Sequence, residues 1–212
     1  MAKLLLLMGL IPVLISFFAR KILSDSTVSA EGGAEVSISG GELIERILKK
    51  GQASDVEIQI KARPFRVLGP QKLVISSQLN ESRKARDVAE AGLLAGLVLM
   101  ARKQEKVVGW RTWAVKFGSA MPAFTMIVMA FAMPKLGAVL CLGVVAATLG
   151  LATVLLWLTL PVERAAASAV AEMLEETALV SRRSEGERLA NLVKALAWRR
   201  IIPGAIAWIG GK

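Results

Sequence analysis

The chain has 212 residues, of which 54% are hydrophobic, and its mean hydropathy of +0.54 is higher than a single soluble core requires. Lys and Arg total 27 against 17 Asp and Glu, a formal net charge of +10; much of the excess flanks apolar segments, where anionic lipid headgroups attract it. No zinc-finger, RNA-recognition or helix-turn-helix signature accompanies the charge, so a membrane and not nucleic acid accounts for it, and the absence of histidine removes every Ser-His, Cys-His and imidazole-metal scheme.

Residues 4–19 carry no charge and lie between Lys3 and the pair Arg20-Lys21. This pattern fits a signal peptide or an uncleaved anchor. The bulky Phe17-Phe18-Ala19 end and the two bases after it favour the uncleaved helix, with the cations snorkelling toward the headgroups. A membrane anchor is therefore expected over 1–23.

Residues 24–41 are rich in Ser, Gly and Ala, lack an apolar period, and read as a linker. A cytoplasmic region is expected over 42–116. It begins with an amphipathic helix over 42–50, with Leu43, Ile44, Ile47 and Leu48 on one face and Gly51 as its stop. Val56, Ile58 and Ile60 alternate with polar residues as a half-buried strand does, and Leu73, Val74 and Ile75 suggest a second strand that pairs with it. From 81 to about 103 a helix is polar at first and almost wholly apolar from Ala91 to Ala101. That apolar part is too short to span a bilayer, so it belongs against other helices. Gly92 and Gly96 have the spacing that permits close helix approach, although chance in an Ala/Gly-rich helix explains the spacing equally well.

Residues 117–133 and 136–160 are free of charge and are separated by Pro134-Lys135, which predicts a transmembrane hairpin over 117–162. Arg20, Lys21, Arg111, Lys116 and Arg164 flank the spans, so the positive-inside rule puts the 24–116 region and the C-terminal region in the cytoplasm and the Pro134-Lys135 turn outside. Met121, Met126, Met129 and Met133 read as packing residues, not soft-metal ligands, and the single Cys141 reads as a small buried side chain that cannot form an intramolecular disulfide.

The C-terminal region, 163–212, begins with an alanine-rich charged helix over 163–180. A second helix, 188–200, repeats Leu189, Leu192, Val193 and Leu196 opposite Arg188, Lys194 and Arg199. Two readings of it stand side by side: an interfacial helix anchored by Trp198, or a helix packed on the cytoplasmic region with a solvated basic face. Residues 201–211 are apolar but too short to span.

Thr159-Leu160-Pro161-Val162-Glu163 with Ala166, Ala167 and Ser168 after it, together with Gly69-Pro70-Gln71-Lys72-Leu73-Val74-Ile75-Ser76, resembles segments of the membrane zinc metallopeptidases of the YugP-like, neutral zinc metallopeptidase family. The resemblance covers most of 40–197. It implies an N-terminal membrane helix, a small α/β region, a zinc helix, a transmembrane hairpin and an Ala/Ser-rich helix. The departures are large. Where the family has His-Glu-x-Gly-His, this chain reads Ala89-Glu90-Ala91-Gly92-Leu93, and Arg66-Val67-Leu68-Gly69 retains none of the polar segment ahead of the proline. By the resemblance Glu90 is the vestige of the general base and Glu163 the vestige of the third metal ligand. Without imidazoles no metal-bound water is available for Glu90 to deprotonate. The simpler reading makes Glu90 a helix residue paired with Arg86 and Glu163 a hydrated charge ending a span beside Arg164.

The expected fold class is a mainly α membrane protein: an N-terminal transmembrane helix, a small cytoplasmic α/β region, a buried helix, a transmembrane hairpin and C-terminal amphipathic helices. The expected function is that of a catalytically inactive, metallopeptidase-like structural or interaction subunit without a cofactor. Its expected partners are the lipid bilayer, anionic lipid, and a protein partner or a second copy, with no role for nucleic acid, and its expected location is a bacterial-type cytoplasmic membrane. The alternatives are a peptidase whose metal site a partner completes, and a protein that organises the lipid interface.

Overall fold

The computed structural model describes residues 2–62, 68–176 and 179–207. The fold is mainly helical. In chain order it comprises α1 (Ala2–Arg20), a π-helical turn (Lys21–Asp25), α2 (Ser26–Glu31), α3 (Gly40–Lys50), β1 (Glu57–Lys61), β2 (Lys72–Ser76), α4 (Ser77–Glu81), α5 (Ala85–Lys103), α6 (Glu105–Leu136), α7 (Ala138–Glu176) and α8 (Arg183–Arg199). Among the described residues three helices are long and apolar enough to cross a membrane: Lys3–Glu31, Glu105–Leu136 and Ala138–Glu176. The chain divides into two compact units. One comprises Met1–Lys21, Trp110–Leu160 and Arg200–Lys212; the other comprises Ile22–Gly109 and Pro161–Arg199.

The first unit is built on α1, α6 and α7. The hairpin turn lies at Gly137, not at Pro134-Lys135 as the charge pattern suggests. Pro134 is tolerated inside the last turn of α6, and the chain reverses where glycine adopts φ +80, a left-handed conformation that a Cβ would disfavour. The Gly137 N–H donates to the Met133 carbonyl at 2.9 Å, closing the helix end. Gly118 faces Leu156, and the two are equidistant in sequence from Gly137, as the antiparallel arms of a hairpin require. On α6 the buried positions Arg111, Ala114, Gly118, Pro122 and Thr125 recur every three or four residues. This single seam leaves the opposite face unburied.

α1 runs parallel to α7: Gly9 lies against Ala146 and Gly150, and seven residues on, the Trp157 indole N–H donates to the Ser16 hydroxyl at 2.7 Å. The start of α1 and the Gly137 turn therefore lie at the same end of this unit. Gly9, Val13, Ser16 and Arg20 form the buried stripe of α1, while Leu4, Leu7, Met8, Ile11, Leu14, Ile15 and Phe18 are exposed. That division suits a helix with one face on protein and the rest in lipid.

The second unit has α5 at its centre. Twelve of its residues, from Ala85 to Ala101, are buried, packed by α3, α8, β2 and residues 162–174 of α7. The expectation that an all-round apolar helix lies in protein is met. The helix expected over 81–103 starts instead at Ala85, with Glu81 ending the short α4 and 82–84 separating the two. The reason is a backbone exchange: Val36 N–H donates to the Arg83 carbonyl, Gly40 N–H to Ser82, and Ala85 N–H to Ala34. The same bonds correct the linker reading of 24–41. Val36 and Ile38 are buried, Ser26–Glu31 is helical, and Val28 packs on the core, so the segment is ordered by tertiary contacts that its composition does not advertise. Ser39 then caps α3 in a reciprocal capping box with Glu42.

β1 and β2 pair as expected, and do so in parallel, with Ile58 beside Leu73 and Ile60 beside Ile75. α8 starts at Arg183, five residues earlier than the apolar repeat suggests.

Candidate functional site

The residues that the peptidase resemblance singles out lie on α5 and α7 within the second unit. Gly92 and Gly96 mark where these helices meet. A Cβ on Gly96 would lie 2.6 Å from a Val170 methyl and 2.9 Å from the Ala166 carbonyl oxygen, and one on Gly92 would lie 3.5 Å from Val170. The small-residue spacing is thus a real close approach. Moving along α5 from Gly92 to Gly96 corresponds to moving back along α7 from Val170 toward Ala166, so the two helices run in opposed directions.

This register separates the two carboxylates. Glu90 lies six residues before Gly96, and Glu163 lies three residues before Ala166 on the opposed helix. With a rise of about 1.5 Å per residue, their backbones lie roughly 10 Å or more apart. A zinc ion reaches its oxygen ligands at about 2 Å. The pair does not fit a common metal, and Ala89 and Leu93, which stand where the family has its imidazoles, are fully buried apolar residues. Among the described residues no group of three or more His, Cys, Asp or Glu is placed to hold a metal ion.

Glu90 is half-buried between Ala89 and Ala91. Glu163 departs from the expectation of a hydrated charge: it is 1% exposed. The physical reason is that the helix continues into the second unit, where its neighbours Val162, Ala166 and Ala167 belong to the core. α7 runs unbroken through Pro161 to Glu176, which makes Glu163 an interior helix position one turn before Ala166 and Ala167. Residues 66 and 67 of the 66–69 segment fall outside the described residues, as do 208–211 of the expected apolar tail, whereas Leu68 forms an antiparallel bridge to Leu73.

α8 places its apolar face in the core. Leu189, Leu192 and Val193 are fully buried, in contact with the cluster centred on α5. Of the two readings of this helix, the packed one describes its apolar side. Trp198 lies beneath the Arg164 guanidinium, 5.3 Å from the ring centroid, a cation-π geometry.

A polar tie that the sequence pattern did not mark holds α8 to the 32–39 segment. The Glu185 carboxylate accepts from the Ser37 hydroxyl at 2.7 Å and from the Ser37 N–H at 3.2 Å. The Ser37 hydroxyl, with its N–H and the charges of Arg182 and Arg188, holds Glu185 below the ordinary carboxylate value of 4.5 against the opposing cost of burial. Because the folded value lies below the unfolded one, the stabilisation is fully present above about pH 4.5 and is lost as the pH falls through the folded value. Glu185→Gln is expected to destabilise the chain by about 1–2 kcal/mol at pH 7, and by less when the pH falls well below the carboxylate range. Urea midpoints at the two pH values check this. Equal losses at both would assign the effect to packing, not charge.

No protein-family model, curated protein or solved structure matches the chain.

Proposed function

We propose that this protein is a structural or interaction subunit of a membrane complex, metallopeptidase-like in the order of its parts and without peptidase activity. One observation carries the reading. The stripe of α5 where the resemblance places the zinc-binding residues is closed: Ala89 and Leu93 are fully buried, Leu43, Ile47 and Val170 lie against Gly92, and the α7 backbone approaches within reach of a Gly96 Cβ. A hydrolase needs a concave site that admits water and substrate beside its nucleophile. A close-packed helix interface provides rigidity instead.

In this reading the three long helices insert in a cytoplasmic-type membrane, and the unit centred on α5 lies on the side where the flanking bases accumulate. A peptidase site completed by a partner chain finds little support, since Glu90 and Glu163 are too far apart to offer a partner a shared pair of ligands.

The test uses the full-length tagged chain, extracted gently from native membranes. Co-purifying proteins are identified and counted by mass spectrometry, bound zinc is measured on the same sample, and hydrolysis of an unfolded substrate is assayed with and without chelator. A stoichiometric partner, no stoichiometric zinc and no chelator-sensitive cleavage are expected. Proteolysis abolished by the chelator would overturn the proposal.

A further inference from the structure

The unburied face of α6 carries a stack of three aromatic rings. Trp110 and Trp113 have ring centroids 5.0 Å apart, and Trp113 and Phe117 have centroids 5.2 Å apart, with interplanar angles of 27° and 22°. The indoles are 42% and 49% exposed. They are not caught in the seam formed by Arg111, Ala114 and Gly118, which faces the interior of the first unit. The same outward face continues through Met121, Phe124, Val128 and Phe131, all exposed. Large indoles held outward in a stack expose apolar area that water disfavours, and each carries an N–H that hydrocarbon disfavours.

We infer that the Trp110–Trp113–Phe117 stack is an interfacial anchor that docks into the headgroup layer of an anionic lipid bilayer, with the Lys116 ammonium reaching lipid phosphate. The depth fits. Phe117 is the first residue of the uncharged stretch of α6. At about 1.5 Å per residue, Trp113 stands roughly 6 Å and Trp110 roughly 10 Å outside it. The interfacial layer on each side of the hydrocarbon is roughly 5–8 Å thick, so the Trp113 backbone lies within it and that of Trp110 just beyond it, from where an indole stacked on Trp113 reaches back into the layer. Lys116 is exposed one turn from Trp113, a position from which a lysine stem follows apolar surface while its charge reaches the phosphates. An amphipathic ring beside a cation at the end of an apolar stretch matches the chemistry of that layer. The assignment rests on the membrane reading of α6, which extraction with alkaline carbonate tests separately: a chain released by carbonate fails the membrane reading itself.

The experiment compares full-length protein in nanodiscs with the Trp110→Phe/Trp113→Phe variant, so that the difference in emission reports on these two indoles. The discs contain phosphatidylglycerol with bromines placed either near the headgroup or near the acyl terminus, and iodide serves as the aqueous quencher. The larger fractional loss is expected with the shallow bromines, and Lys116→Gln is expected to reduce it in phosphatidylglycerol. Quenching by iodide alone, a larger loss with deep bromines, or protection from every quencher, as a covering protein would give, overturns the inference. Should the phenylalanine variant not fold, Trp110→Tyr/Trp113→Tyr supplies the same difference signal.

Discussion

Replacing Gly9 with leucine is expected to detach α1 from α7 and to cost about 3 kcal/mol or more. A Cβ at this position would overlap the Ala146 carbonyl group, and from the other side Gly150 is also tight, since a Cβ there would lie 2.7 Å from the Gly9 Cα. Both obstacles are backbone, so no rotamer change relieves them. Overpacking in a well-filled interface ordinarily costs about 1–3 kcal/mol because side chains can shift, and here the helix itself must move. The Ser16–Trp157 hydrogen bond, two turns along the same face, would be lost with it. The measurement is thermal unfolding of the full chain in detergent, followed by tryptophan emission. A lower midpoint with a red-shifted native spectrum is expected for Gly9→Leu and a smaller effect for Gly9→Ala. Leu7→Ala, on the exposed stripe, is the control and should be close to neutral. A Gly9→Leu protein that melts with the wild type would show that α1 does not pack on α7 through this glycine.

Leu93→Ala is expected to destabilise the second unit by about 3–5 kcal/mol, the upper part of the usual range for a buried leucine. Leu93 is fully buried at the centre of α5. The cost of a truncation depends on whether the neighbours can close the cavity. Leu93 belongs to the buried cluster that α5 shares with α3, α7 and α8, and beside it at Gly92 and Gly96 the neighbouring helices are already near contact distance. They cannot approach further to fill the void. Leu93→Met conserves volume and should cost less than about 1.5 kcal/mol. Urea unfolding followed by circular dichroism, with carbonate extraction to confirm insertion, checks the pair. If Leu93→Ala were as mild as Leu93→Met, the position would border open space, and the argument that this face is closed to zinc and substrate would fall with it.

The two carboxylates show how far the site could be read from the residues alone. The absence of histidine excludes a zinc site of the resembled type in any fold, because ligand chemistry depends on residue identity. Whether Glu90 and Glu163 meet depends on the register between α5 and α7, which becomes visible only once Gly96 is seen against Ala166. Burial of Glu163 was likewise hidden, since Pro161 followed by two charges looks like the end of a span, and a proline inside a helix is tolerated only where neighbouring structure supports it. The exposed indoles were hidden for a related reason. Trp198 lies on an amphipathic repeat that one of the two readings makes an anchor, yet that repeat packs on the protein core, while Trp110 and Trp113 are exposed on α6.

What the sequence determined by itself is the class of the protein and its local elements. Charge-free runs long enough to span, the amphipathic period of α3, the alternation in β1 and the all-round apolar character of α5 are properties of neighbouring residues, and they express the same free energies of burial wherever the segments are placed. Tertiary structure alone decided the rest: the reversal at Gly137, two residues beyond Lys135; the ordering of 34–40 by backbone bonds to 82–85; the parallel packing of α1 on α7 through Gly9; and the closed face of α5. Each depends on which surfaces meet across long sequence separations, where a small residue or a carbonyl acquires its meaning only from the atom opposite it.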